Sequence, residues 1–237
     1  MLYIQSDSDR QLPEHFDAAC ALYGARDLNI KTRLTSFDEV AVGKFDLLVK
    51  QHVFVGSTEY MREVFNRVGK TSVGVPCNSN RECEIITLGN AHLRVAAGER
   101  LFIKPIEIKQ FTGLVLDGFR YSCLESLPDD TKVMAYKPFD SEIVTEWRVY
   151  VHKHEILDSR NYAGDFTISP DYNYVHGVIE DNKQTFPIAY TIDVAVLASG
   201  EMAVVEFNDM WAIGNYGVPN DLYVKALRDR YFEIING

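Results

Sequence analysis

The chain opens on a short apolar run, Leu2–Gln5, that reads as a strand and ends in the polar turn Ser6–Arg10. Pro13 to Tyr23 reads as a helix, with Gly24 as its C-terminal cap. Ile30–Leu34 and Phe45–Val49 are expected as the second and third strands, and Ser57 or Thr58 can cap a helix running to about Val68. Strand–helix–strand order in short units predicts a small α/β layer over residues 1–76. Gly69-Lys70-Thr71-Ser72 has the ending of a phosphate-binding loop, but the earlier glycine of that motif is replaced by Val64. It reads instead as a connection into a further strand, Val73–Pro76.

From Ala91 the pattern changes to strands and turns. Leu101–Lys104 ends at Pro105, and Gly113–Leu116 and Lys132–Tyr136 follow as strands. Thr145–Val151 and Glu155–Asn161 read as a hairpin. Gly164–Val175, rich in Gly, Asp, Asn, Pro and Tyr, reads as a long loop, either a lid or a disordered segment. Leu222–Ile234 has near-helical apolar spacing and is expected as a terminal amphipathic helix.

The chemistry is densest in a second hairpin, where Thr191–Leu197 and Met202–Phe207 flank a Ser199-Gly200 turn. Alternation along a strand turns Glu206 and Asn208 to one face and Phe207 to the other, and Asp193 on the paired strand can face them. Two carboxylates and an amide oxygen on one sheet face suit Mg²⁺, a hard cation. The plain alternative is a solvated polar face.

Composition narrows the classes. The 237 residues suffice for one large domain or two lobes, and 46% apolar with 12% aromatic content suits a soluble globular protein. No apolar run reaches the roughly 20 residues of a membrane span, and the N-terminus has no signal-peptide pattern. The four cysteines form no C-x-x-C pair, which predicts free thiols in a reducing cytoplasm. A formal net charge of −10 argues against a sequence-independent phosphate-backbone binder, so no nucleic-acid partner is expected.

Four segments then occur in a telling order: Phe102-Ile-Lys104-Pro105 with Lys109-Gln-Phe-Thr112-Gly113; Val133-Met-Ala-Tyr-Lys137-Pro138-Phe139; Thr145-Glu146-Trp147-Arg148 leading to Asp158-Ser-Arg160; and Asp193…Glu206-Phe-Asn208. Over about residues 100–218 this order resembles the ATP-grasp superfamily. It is most similar to the compact clade marked by a signature arginine and two lysines, seen often in phage and bacterial-conflict genomes.

The resemblance implies an α+β ATP-grasp fold, two lobes clasping ATP, preceded by the small α/β layer. The implied division is 1–76, then 77–237 with a smaller lobe at about 91–138 and a larger antiparallel lobe at about 139–237. Lys104 would contact the α/β phosphates, and Lys109 with Thr112-Gly113 would sit on the loop over them. Lys137-Pro138-Phe139 would be the adenine hinge, with Glu142-Ile143-Val144 as the rival register. Glu146 falls where relatives place a ribose-binding or structural glutamate. Arg148 would neutralise the transferring γ-phosphate, and Arg160 would bind an acceptor carboxylate or a phosphate. Asp193, Glu206 and Asn208 would ligate Mg²⁺. The implied activity is carboxylate–amine (or carboxylate–thiol) ligation through an acyl-phosphate on an amino-acid or peptide acceptor. A kinase using the same pocket and a non-catalytic nucleotide-binding module are the alternatives.

The segment Asp209–Gly217 resembles the clade's post-metal loop, and Lys225 is a candidate second signature lysine. His152-Lys-His154 would place two imidazoles on one strand face, without a third ligand at a fitting spacing.

Overall fold

The structure is a computed structural model that describes all residues except 8, 10, 11, 71–73, 76–81, 107–109, 119 and 120. Its contacts form two compact units, Met1–Cys77 with Ile143–Gly237, and Asn78–Glu142.

The N-terminal layer is a parallel sheet of β1 (Leu2–Gln5), β2 (Thr32–Thr35) and β3 (Val53–Val55), in the order β2-β1-β3. Its helices are α1 (Phe16–Asp27), the short α2 (Phe37–Ala41) and α3 (Thr58–Asn66). Ser57 caps α3, its side chain accepting from Tyr60 N–H. The third strand lies later than the sequence pattern predicts. Phe45 and Val49 are buried, but they sit in consecutive turns, with Val49 N–H donating to the Phe45 carbonyl. A spacing of four is one helical turn, and the strand expected there is absent. Gly24 is no cap either: it is buried within α1, where an added Cβ would come within 2.1 Å of the Asn220 carbonyl oxygen. Only glycine permits that approach; the helix ends at Leu28, and Asn29 takes the left-handed φ of 54°.

In the second unit β4 (Cys83–Thr87), α4 (Leu88–Ala96), β5 (Leu101–Pro105), β6 (Leu114–Leu116) and β7 (Lys132–Tyr136) build an antiparallel sheet in the order β4-β7-β5-β6. Helix α4 replaces the turns expected at Ala91; Thr87 caps it, and Leu88 and Ala91 bury against Leu101, Ile103, Val133 and Ala135. Alternation along β5 and β7 turns Phe102, Lys104, Met134 and Tyr136 to the opposite face. The strand expected at Val73–Pro76 falls largely outside the described residues.

The first unit resumes with β8 (Ile143–His152), β9 (Glu155–Gly164), α5 (Tyr172–Asn182), β10 (Ala189–Leu197), β11 (Met202–Asp209), a 3-10 turn at Met210–Ala212, and α6 (Asn220–Asn236). The four strands are antiparallel, in the order β11-β10-β8-β9. Both hairpins expected from sequence are present. The segment read as a loop to Val175 instead enters α5, capped by Asp171, and Val175, Val178 and Ile179 seal the apolar face of the sheet with Val149, Val151, Ile192 and Val194. Lys153 and His154 make the tight β8–β9 turn with positive φ, so the two histidines do not share a strand face. His152 pairs with Asp229 at 3.0 Å. A second core joins β1, β3, α1 and α3 with α6 and with Tyr150 of β8. No helix among the described residues is long and apolar enough to cross a membrane.

Candidate active site

One face of the β8–β11 sheet is sealed by α5, so the polar side chains at alternate positions gather on the other. Arg148 and Asp193 are direct cross-strand partners. They form a two-pronged ion pair, Nε to Oδ1 at 2.8 Å and Nη2 to Oδ2 at 2.7 Å, and both are buried. Burial pushes the Asp193 carboxyl up to about 6, against the pull of the guanidinium. Burial also works against the Arg148 charge, and the aspartate more than offsets it, so the guanidinium stays protonated.

Glu206 lies directly across from Asp193 on β11, and a β-bulge at Asp193/Val194 interrupts the ladder at this point. Asn208 Nδ2 donates to Glu206 Oε1 at 3.2 Å and to Asp193 Oδ2 at 3.4 Å. Phe207 turns to the opposite face, where it meets Phe186 edge-on. The three side chains expected on one face are therefore in mutual contact. They fit a hard divalent cation: two carboxylates and an amide match the one or two carboxylates Mg²⁺ takes from protein, with phosphates and water completing its octahedron. Among the described residues no group of three or more His, Cys, Asp or Glu could hold a metal by itself.

Two stacked tyrosines lie together against the guanidinium. Arg148 Cζ lies 5.6 Å from the Tyr162 ring centroid and 5.0 Å from that of Tyr216, and the two rings stack 6.0 Å apart. Tyr162 also donates its hydroxyl to Glu146 Oε2 at 2.6 Å. Tyr216 is half-exposed, and its backbone takes a φ of 47°, in the left-handed region that costs a bulky residue energy. Its loop is fastened on several sides. Buried Asn215 bonds Val218 O and Gly217 N through its side chain, its own N–H donates to Asp17 of α1, and the Tyr150 hydroxyl donates to Gly214 O. The aromatic pair beside Arg148 is the part that sequence reasoning did not assign. Tyr162 is two residues from Arg160, and that spacing was the available signal.

Arg160 is the cross-strand partner of Arg148 on β9. Its Nη2 donates to Asp158 at 2.6 Å, while its buried Nε has no hydrogen-bond partner among the described residues. Trp147 packs into the apolar core and donates to Ile168 O. Lys225 pairs with Asp221 one helical turn away.

In the second unit Lys104 extends along Phe102, and Gly113 lies close against both: a Cβ there would lie 2.9 Å from Phe102 Cζ and 3.0 Å from Lys104 Cγ. Thr112 is exposed beside it. Lys109 lies outside the described residues. Lys137, Pro138 and Phe139 follow β7 and line a cavity of about 570 Å³ with Glu84, Arg94, Arg100 and Tyr136. Lys137 pairs with Asp140 at 3.3 Å.

Residues 79–226 match the model of an ATP-grasp domain family, the second family of its clade. The chain belongs to that family. ATP-grasp enzymes bind ATP, and solved structures of the same fold cover nearly the whole chain. The ATP-grasp ligase PsnB complexed with a minimal precursor is 12% identical, with a TM-score of 0.55 over 96% of this chain and 98% of its own. D-alanine–D-alanine ligase from Bacillus anthracis complexed with ATP is 11% identical, with a TM-score of 0.57 over 99% and 97%. A RimK-domain ATP-grasp protein from Sphaerobacter thermophilus is 9% identical, with a TM-score of 0.57 over 95% and 98%. At such identities the likeness shows the ATP-grasp fold. No curated protein matches the chain by sequence.

Proposed function

We propose that this ATP-grasp chain is a ligase that joins a carboxylate to an amine or thiol, with release of ADP and phosphate. An acceptor carboxylate oxygen attacks the γ-phosphorus of ATP, the β–γ bridging oxygen leaves with ADP, and an acyl-phosphate forms. The amine or thiol then attacks the acyl carbon, loses its proton, and inorganic phosphate departs. The activation is needed because a carboxylate is a poor electrophile and phosphate is a good leaving group.

One observation carries the reading: a buried guanidinium, gripped by Asp193 and flanked by two stacked aromatic rings, stands beside Glu206 and Asn208 on one sheet face. Phosphoryl transfer depends on positioning and charge compensation more than on covalent help from the protein. Asp193, Glu206 and Asn208 would hold Mg²⁺, which neutralises charge on the β- and γ-phosphates. Arg148 would face the transferring phosphoryl group. Arg160, whose buried Nε has no partner among the described residues, would bind the acceptor carboxylate or a phosphate. Lys104, Lys109, Thr112 and Gly113 would contact the phosphates, Lys137-Pro138-Phe139 the adenine, and Glu146 the ribose or the Tyr162 hydroxyl that it already accepts. PsnB is complexed with a precursor peptide and AMPPNP, which supports including peptides among the acceptors tested.

The test is product analysis with Mg²⁺, ATP and a panel of amino acids and peptides. The expected result is ADP, inorganic phosphate and a new amide or thioester in equal amounts. ADP with a phosphorylated acceptor and no free phosphate would make the protein a kinase. No ADP with any acceptor would favour a nucleotide-binding module.

A further inference from the structure

Thr191 is fully buried on β10, two residues from Asp193 and on the same face, and its Oγ1 has no hydrogen-bond partner among the described residues. A hydroxyl taken out of water without a partner loses its hydration for nothing, and such a group in a native fold calls for an explanation. Its cross-strand neighbours are Tyr150 on β8 and Asn208 on β11. The Tyr150 hydroxyl is committed to the Gly214 carbonyl. Asn208 remains, and directly paired residues carry their side chains to the same face with Cβ atoms about 4.5–5.5 Å apart.

Asn208 has the complementary problem. Its Nδ2 donates to both Glu206 and Asp193, so its amide nitrogen is turned toward the two carboxylates. A divalent cation on those carboxylates would meet N–H groups. For Oδ1 to face the cation the amide must turn over, and Nδ2 then leaves both acceptors. It needs a new one on this face.

We propose that Thr191 is a positioning residue for Asn208: its Oγ1 accepts the Asn208 Nδ2–H once the amide oxygen turns to a divalent cation. The idle hydroxyl is thus the second station of a two-position amide. This rests on the reading of Asp193, Glu206 and Asn208 as the cation site.

The experiment compares the full-length protein with Thr191→Val, which keeps the shape and removes the hydroxyl, and with Thr191→Ser, which keeps the hydroxyl. Binding of Mn²⁺ with ADP is followed by electron paramagnetic resonance of the bound metal, and thermal unfolding is followed without metal. The metal-free Thr191→Val protein should be as stable as the parent or melt about 2 °C higher, because an unsatisfied hydroxyl is gone. Its Mn²⁺ affinity should fall about 10-fold, the usual effect of losing a group that orients a metal ligand. Thr191→Ser should restore the affinity. Unchanged Mn²⁺ binding in Thr191→Val would overturn the proposal, and so would a metal-free Thr191→Val that is less stable or unfolded. If the parent binds no Mn²⁺ with ADP, the cation site itself falls and the proposal falls with it.

Discussion

Two buried arginine–aspartate forks stand in the same unit of this protein, and only one of them belongs to the candidate site. Arg230 of α6 grips Asp209 with Nε at 2.8 Å and Nη2 at 2.5 Å, much as Arg148 grips Asp193. Both carboxyls are pushed up by burial. The difference lies in what surrounds them. Arg230 spends a third nitrogen on Glu233, that glutamate accepts the Ile188 N–H, and Asp209 also accepts from Trp211 N–H. The fork braces the end of β11 against α6. Around Arg148 the fork continues into further polar groups: Asn208 donates to both Asp193 and Glu206, and among the described residues the buried Thr191 Oγ1 and Arg160 Nε have no hydrogen-bond partner. A charged pair by itself does not mark a site; a second carboxylate and an amide joined to it on the same sheet face do.

The contrast is broken most forcefully at the brace. Arg230→Met leaves Asp209 buried without its counter-charge and should cost about 3–5 kcal/mol of stability, read as a lowered urea midpoint. A loss under about 1 kcal/mol, the size of an exposed ion pair, would deny the fork its structural role. At the site the effect should move from stability to chemistry. Arg148→Lys keeps the charge and loses the planar fork, so turnover should fall about 100-fold while ATP affinity changes much less; equal losses in both would make Arg148 a simple binding residue. The smallest effect should come from the aromatic pair. Tyr216→Ala removes one aromatic face from Arg148 and should cost about 0.5–1 kcal/mol in urea denaturation. Tyr216→Phe should be silent, because the ring remains; a loss in Tyr216→Phe equal to that of Tyr216→Ala would move the role to the hydroxyl.

The same distinction explains what the sequence could show. Strand alternation placed Glu206, Asn208 and Asp193 on one face because a period of two leaves few choices once a hairpin turn is recognised. It could not separate Asp193 from Asp209 as members of different forks, since each partner arginine is distant in sequence. Phe45–Val49 read as a strand because short apolar runs do not declare their period. Gly24 read as a cap because glycine has two uses, and its close contact with Asn220 is 196 residues away in the chain. Helix α5 was hidden by Asn, Tyr and Gly residues of weak helix propensity, and it owes its existence to the apolar sheet face it covers. Tyr216 was in view as part of a loop, but its contact with Arg148 depends on the fastening of that loop to Asp17 and Tyr150.

The central claim is that Asp193, Glu206 and Asn208 hold a metal under the phosphates of ATP, and calorimetric titration of ATP tests it most directly. The parent protein and Glu206→Ala are each titrated with Mg²⁺ and then with EDTA, without an acceptor. The account expects tight binding by the parent with Mg²⁺, much weaker binding in EDTA, and no metal dependence in a Glu206→Ala protein that still unfolds cooperatively. Binding by the parent that is indifferent to Mg²⁺, or a Glu206→Ala protein that keeps the full metal effect, would contradict it.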